Sequence, residues 1–212
     1  MDLSDFRKQY TKGQLLESEA PPNPFDLFGH WFDEVQSHGK EQETNAMTLS
    51  THLAKGGIAS RVVLLKEVRD DGFVFYTNYN SIKGQSIAYD HRVCLSFFWQ
   101  SMERQVIIQG IATKLSPKDS DHYFNSRPRG SQLGAHVSDQ STKIQDRTAL
   151  ESKLAALETQ YQDRPIPRPT HWGGYVVTPS SIEFWQGRAN RLHDRLAYKR
   201  ELSAWTITRL SP

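Results

Sequence analysis

Thirteen residues near the C-terminus, Glu183-Phe184-Trp185-Gln186-Gly187-Arg188-Ala189-Asn190-Arg191-Leu192-His193-Asp194-Arg195, hold two aromatics, three arginines, a histidine and an aspartate. A buried core strand would not carry that charge, because each unpaired buried charge costs several kcal/mol. A solvated loop has no need of Phe-Trp beside it. The segment reads as the wall of a site for a flat, anionic ligand. Aromatic surface covers a ring, guanidinium groups meet phosphate or carboxylate, and the imidazole sits where a proton can move.

Other clusters carry anion chemistry. Tyr123, Arg127 and Ser131 lie four apart, so a helix, or a helix followed by a turn, can point phenol, guanidinium and hydroxyl one way as a phosphate cradle. Pro128 breaks or restarts that helix. Arg61 and Lys66 bracket an apolar strand and leave it on opposite faces if it is regular. They serve two anions, flank one, or simply end a strand. Lys83 and the Ser81 hydroxyl open a helix whose first N–H groups suit a phosphate. The plainer alternative is a capped helix with a surface lysine. Gln140-Ser141-Thr142-Lys143 is a polar donor cluster or an ordinary loop. Gln105 can hydrogen-bond a heterocycle edge or rest half-exposed on its strand.

Several chemistries lack a motif. There is no G-x-G-x-x-G or Walker loop. The eight histidines are scattered without metal-ligand spacing, so no metal site is expected. No G-x-S-x-G nucleophile turn occurs.

The elements that position these residues follow from pattern. Residues 1–22 form a polar leader ending in Ala20-Pro21-Pro22, and residues 23–212 form one domain. Asn23 and Pro24 start a helix over residues 24–37, with Phe25, Phe28, Trp31, Phe32 and Val35 on one face. Strands are expected at 47–52, 58–68 and 73–77, the last two joined by the Asp70-Asp71-Gly72 turn. A short helix spans 81–89, and strands follow at 92–99 and 105–115. Ser116-Pro117 begins another helix, and 146–162 is helix-favouring. After the stiff connector 164–169 come strands at 174–177, 182–185, 193–199 and 204–210. Without a strand–helix–strand rhythm, the fold class is mainly β, a closed or partly open antiparallel barrel with peripheral helices.

At 212 residues and 37% hydrophobic content the chain can bury a real core. A net charge of +2 is too small for bulk nucleic-acid binding. No apolar stretch approaches the roughly 20 residues of a membrane span. The N-terminus lacks a signal-peptide stretch, and the lone Cys94 reads as a buried structural thiol. A cytoplasmic protein, with no nucleic-acid or membrane partner, is expected.

Taken in order, these segments resemble the pyridoxamine 5′-phosphate oxidase family over nearly the whole chain. The resemblance is carried by Arg7-Lys8-Gln9-Tyr10-Thr11-Lys12-Gly13, Arg61-Val62-Val63-Leu64-Leu65-Lys66 and Phe75-Tyr76-Thr77-Asn78. It continues through Glu103-Arg104-Gln105-Val106, Tyr123-Phe124-Asn125-Ser126-Arg127-Pro128-Arg129, Gln140-Ser141 and Trp172-Gly173-Gly174. It closes with Glu183-Phe184-Trp185-Gln186-Gly187, Arg191-Leu192-His193-Asp194-Arg195 and Arg209-Leu210.

The resemblance implies a split β-barrel and a homodimer that binds FMN at the subunit interface. It also implies oxidation of pyridoxamine or pyridoxine 5′-phosphate by O2. It assigns FMN contacts to Arg61, Val62, Val63, Leu64, Leu65, Lys66, Tyr76, Thr77, Lys83, Gln105, Gln140, Ser141, Trp185 and Arg195. Substrate contacts fall to Lys66, Tyr123, Arg127 and Ser131 around the phosphate, and to Arg191, Leu192 and His193 near the ring. Arg191 and His193 are the expected catalytic pair, and Arg7 and Tyr10 form a lid. Two departures stand out: Ile82 where the family commonly has Arg, and His136 where it has Trp.

Overall fold

The computed structural model describes residues 1–5, 8–202 and 204–212. Helix α1 (Pro24–His38) starts where Asn23 accepts a hydrogen bond from the Phe25 N–H and Pro24 takes the first turn. Its apolar face fills the hollow of a curled sheet. Phe28 meets Phe73, Phe97 and Trp99, and Trp31 meets Phe184 edge-on at 5.2 Å. Arg104 lies over the Trp31 ring at 4.4 Å and pairs with Glu34, so the one buried guanidinium beside this core is matched.

The sheet comprises β1 (Ala46–His52), β2 (Ile58–Leu64), β3 (Glu67–Arg69), β4 (Gly72–Asn78), β5 (Arg92–Trp99), β6 (Arg104–Lys114), β7 (Trp172–Gln186), β8 (Asp194–Glu201) and β9 (Ala204–Arg209). All the pairings are antiparallel, in the order β2-β1-β5-β6-β7-β4-β3, with β8 and β9 continuing from β7. The result is a curled half-barrel with flanking helices, as the mainly β expectation required.

Two expected boundaries differ. The strand expected over 58–68 stops at Leu64. Leu65 turns into the core, and its backbone N–H and C=O are both bonded to Asn45. Lys66 thus lies between β2 and β3, and the opposite-face argument for Arg61 and Lys66 does not apply. Conversely, the expected strands 174–177 and 182–185 are one continuous strand. β7 accommodates Pro179 by a bulge: Gly110 pairs with Pro179 and Gln109 with Ser181, leaving Ser180 unpaired. The bulge inverts the inward alternation. Tyr175 and Val177 face the core before it, and Ile182 and Phe184 after it.

Helices α2 (Ile82–Tyr89), α3 (Pro117–Ser126), α4 (Arg129–Val137) and α5 (Arg147–Gln160) flank the sheet. α3 and α4 bury Phe124, Leu133 and Ala135 against Trp172 and Ile166 in a second, smaller core. No helix among the described residues is long and apolar enough to cross a membrane. Cys94 is free and half-buried rather than fully enclosed, and burial pushes its thiol pKa up.

Candidate active site

The first of two polar cavities holds about 570 Å3 between β2, β4, α2, α3 and α4. The start of α2 forms part of its wall. Asn78 closes β4 by accepting from the Asn80 N–H and donating to Ser138 O, and Ser81 caps the helix by accepting from the Gly84 N–H. Lys83 Nζ donates to Gln140 Oε1 at 2.7 Å, while the Ile82 N–H meets Ser141 Oγ at 3.3 Å. Thr77 Oγ1 reaches the same Gln140 oxygen at 3.5 Å.

Burial first, and then the charge of nearby Arg61, push the Lys83 pKa down. Arg61 does not itself line the cavity. It donates to Leu49 O and Thr51 Oγ1, and burial lowers its pKa too. Among the described residues, neither cation is ion-paired. Two neighbouring, partly desolvated cations fit an anion such as a phosphate.

Lys66, Tyr123, Arg127 and Ser131 line the same cavity. α3 stops at Ser126 because Pro128 holds Arg127 extended, and α4 then restarts with Pro128 as its cap. Gln132 Nε2 fastens this kink by donating to the carbonyls of Phe124, Asn125 and Arg127. The Arg127 guanidinium lies over the Trp172 ring at 4.5 Å, and its buried Nη1 has no protein partner. Tyr76 and Tyr123 stack at 3.8 Å beside Trp172. Burial pushes the Tyr76 phenol up to about 12, so it remains a neutral donor. Val62, Val63 and Leu64 complete the wall.

The second cavity, about 680 Å3, is lined by Lys8, Gln9, Tyr10, Arg188, Asn190, Arg191 and His193. Asn190 and Arg191 take left-handed backbone at φ 57° and 61°, a tight turn that aims Arg191 into the cavity. Trp185 lies 4.7 Å from His193, and Tyr10 sets its edge against both rings. His193 Nδ1 accepts from the Arg188 N–H at 3.1 Å, so the neutral ring carries its proton on Nε2. Burial and the Arg191 charge lower the His193 pKa, which favours that neutral form. Gln105 and Arg195 flank Trp185 on the adjoining strands, and Arg195 is ion-paired to Glu183 at 2.8 Å. Leu192 is 69% exposed and lies instead beside the C-terminal tail. Arg7 falls outside the described residues.

The expected site residues are therefore brought together in two groups. The two cavities share no lining residue. Trp172 sits in the first at the start of β7, and Trp185 beside the second near its end. Thirteen strand steps span at most about 43 Å. Each expected contact set, for the nucleotide and for the substrate, is divided between them.

Several lining residues were not expected. Trp172 had a signal in the Gly173-Gly174 pair after it, where a Cβ on Gly174 would sit 2.8 Å from the Tyr76 ring. Asn78 and Ser138 act through a side chain-to-backbone hydrogen bond that no spacing rule reveals.

Residues 35–161 match the family described as pyridoxamine 5′-phosphate oxidase, and residues 172–212 match the pyridoxine 5′-phosphate oxidase C-terminal dimerisation region. The pyridoxine/pyridoxamine 5′-phosphate oxidase of Flavobacterium johnsoniae is 57% identical over 211 residues, covering 99% of each chain. That of a Cyanothece species is 51% identical over 212 residues, covering 100% of this chain and 99% of its own. Among solved structures, PhzG from Burkholderia lata in complex with tetrahydrophenazine-1-carboxylic acid superposes with a TM-score of 0.86. It is 29% identical, and the match covers 93% of this chain and 98% of PhzG. A pyridoxamine 5′-phosphate oxidase-related, FMN binding protein from Nostoc punctiforme, 15% identical with a TM-score of 0.72, shares the fold across 91% of this chain and 100% of its own. On near-full-length identity, fold and a common arrangement of motifs, the chain belongs to the pyridoxine/pyridoxamine 5′-phosphate oxidases, a family of oxidoreductases.

Proposed function

We propose that the protein oxidises pyridoxamine and pyridoxine 5′-phosphate to pyridoxal 5′-phosphate with O2, using FMN, as a homodimer whose sites lie between subunits. The observation that carries this reading is one cavity whose lining cations, Lys66, Lys83 and Arg127, have no ion-pair partner among the described residues, with Arg61 close behind Lys83. Lys83 and Arg61 suit one phosphate, and Lys66 and Arg127 a second. Two phosphorylated ligands side by side are what a phosphorylated nucleotide cofactor and a phosphorylated substrate require. That second cation group also speaks against a flavin reductase using an unrelated donor.

The dimer follows from the divided site. One chain cannot close the distance along β7, whereas a two-fold partner can set its second cavity against the first. The sheet surface between them carries small polar and apolar residues at its centre, with Arg92 and the Glu183–Arg195 pair at its margins. Thr48, Ser50, Ser60, Val62, Cys94, Ser96 and Ile107 share it, and Val62 and Phe98 are exposed there. Such a face suits burial against a second copy.

Within this reading, Lys83, Gln140 and Ser141 hold the FMN phosphate, with Arg61 behind them. Trp185, Gln105 and Arg195 come from the partner. FMN held there would supply the two-electron oxidation chemistry, with O2 as the final acceptor and H2O2 as its product. The chain's own residues hold the substrate. Lys66, Tyr123, Arg127 and Ser131 fix its phosphate. Arg191 meets developing charge near the reacting carbon, and His193 donates a hydrogen bond from Nε2. When the substrate is the amine, water replaces nitrogen and ammonia leaves.

The test is subunit mixing. Arg127→Met disables the first cavity and Arg191→Met the second. Co-refolded in equal amounts, half of the dimers are mixed and each has one intact site, so roughly a quarter of wild-type peroxide release returns. No recovery from two folded, FMN-loaded variants overturns the shared site. Failure of pyridoxamine 5′-phosphate to bleach the wild-type flavin anaerobically overturns the activity.

A further inference from the structure

Glu103 stands where a carboxylate is costly. Its backbone is left-handed at φ 57°, a region that favours glycine or asparagine, and it is only 1% exposed. The tight link between β5 and β6 requires that turn, since the Glu103 N–H closes back on Gln100 O. Nothing in the turn itself needs an acid.

The carboxylate is used elsewhere. Oε2 accepts from the backbone N–H groups of Thr11 at 2.8 Å and Lys12 at 3.0 Å, and Oε1 meets Lys8 Nζ at 3.4 Å. Its three partners thus flank Tyr10 on both sides in sequence. The Glu103 carbonyl accepts from the Gly187 N–H and Gln186 Nε2, which locks the same turn to the end of β7. The fit is close: a Cβ on Gly187 would lie 2.8 Å from the Tyr10 ring, and one on Gly13 would lie 2.9 Å from Gln186 Oε1. Farther along, Leu15 N–H is held by Asp194, and Arg209 grips Glu17. The leader therefore has a fixed base at residues 15–17, and among the described residues Glu103 is the acid that holds the stretch bearing Tyr10.

We propose that Glu103 is a positioning residue for the reaction. Its carboxylate latches residues 8–12 across the second cavity, so that Tyr10 covers Trp185 and His193. This rests on the functional reading above. Glu103 touches no reacting atom. It acts by keeping the cover over the ring-binding half-site, where burial and charge-assisted hydrogen bonds make backbone anchoring strong. Releasing it frees a segment that must be reordered each time substrate binds, and this weakens binding more than it slows the bound complex.

The experiment uses the full-length, FMN-loaded protein and two variants, Glu103→Gln and Glu103→Gly. The glycine variant removes the latch while relieving the left-handed backbone, so it folds even if the glutamine variant does not. Limited trypsin digestion followed by mass spectrometry reads cleavage after Lys8 and Lys12. We expect cleavage there at least tenfold faster in either variant. Peroxide assays should give a KM for pyridoxamine 5′-phosphate raised roughly tenfold at nearly unchanged kcat. Saturating pyridoxal 5′-phosphate should restore protection in the wild type more fully than in the variants. Unchanged cleavage after Lys8 and Lys12 in a folded variant overturns the latch, as does a fall in kcat at constant KM. Because proteolysis needs no turnover, a wild type that fails to oxidise the substrate removes the functional reading while the latch is still judged.

Discussion

Replacing Arg127 with methionine separates what that residue costs the fold from what it gives the ligand. Among the described residues its buried Nη1 has no protein partner, while its guanidinium stacks on Trp172 at 4.5 Å. An unsatisfied buried donor costs about 1–3 kcal/mol, and the partly desolvated cation–π contact returns about 0.5–2 kcal/mol. Methionine has a similar length, fills the space over the indole and demands no partner. Without added ligand the variant's stability should change by about −1 to +2.5 kcal/mol, and for a chain of this size each kcal/mol is about 2–4 °C in Tm. Ligand binding moves the other way. Losing one or two charge-assisted hydrogen bonds of about 1.5–3 kcal/mol each weakens binding roughly 10- to 1,000-fold or more. Thermal shift of the FMN-loaded protein, with and without pyridoxal 5′-phosphate, reads the first quantity, and KM for pyridoxamine 5′-phosphate reads the second. Inorganic phosphate should inhibit the wild type competitively and the variant hardly at all. A variant that melts several degrees lower with unchanged KM would refute the idea that Arg127 waits, unpaired, for an anion.

Two further outcomes concern the cofactor and the histidine. Ile82 is half-exposed at the start of α2, beside Lys83 and Ser141. Ile82→Arg should tighten FMN binding roughly five- to tenfold, the value of one partly screened charge-assisted contact; fluorescence titration checks this, and an unchanged or weaker Kd contradicts it. His193 is held neutral, with its pKa below the ordinary 6.5. A folded pKa lower than the unfolded one means that the native state takes up fewer protons as pH falls through this window. His193 therefore favours the native, substrate-ready form above pH 6.5 and loses that effect on acidification. The acid limb of kcat/KM assigned to His193 should lie below pH 6.5 and vanish in His193→Asn; a limb above that value refutes the assignment.

Local chemistry made much of this fold legible. The Asn23-Pro24 start of α1, the Asp70-Asp71-Gly72 turn and the cap at Ser81 each follow from one residue's hydrogen bonding or fixed φ, and each stands as expected. The Tyr123, Arg127 and Ser131 spacing also leads to one cavity, although a proline-broken pair of helices, rather than one helix, delivers them. Long-range events were not legible. Leu65 leaves its strand because Asn45, distant in sequence, takes both of its backbone groups. Pro179 reads as a strand end because the neighbouring strand that tolerates it, at Gly110, is far along the chain. The division of the site could not be read from motif order, because motif order carries no distance.

The unpaired Ser180 has an outcome beyond its own neighbourhood. Trp172 and Trp185 are an odd number of residues apart, so in an unbroken strand they would point to opposite sides of the sheet. The extra residue cancels that parity, and both indoles leave on the side away from the core. Removing Ser180 would rotate everything beyond it by half a turn, pressing Glu183 and Trp185 inward and driving Ile182 and Phe184 into water. One surplus serine thus sets the handedness by which the far end of the strand can greet a neighbouring molecule.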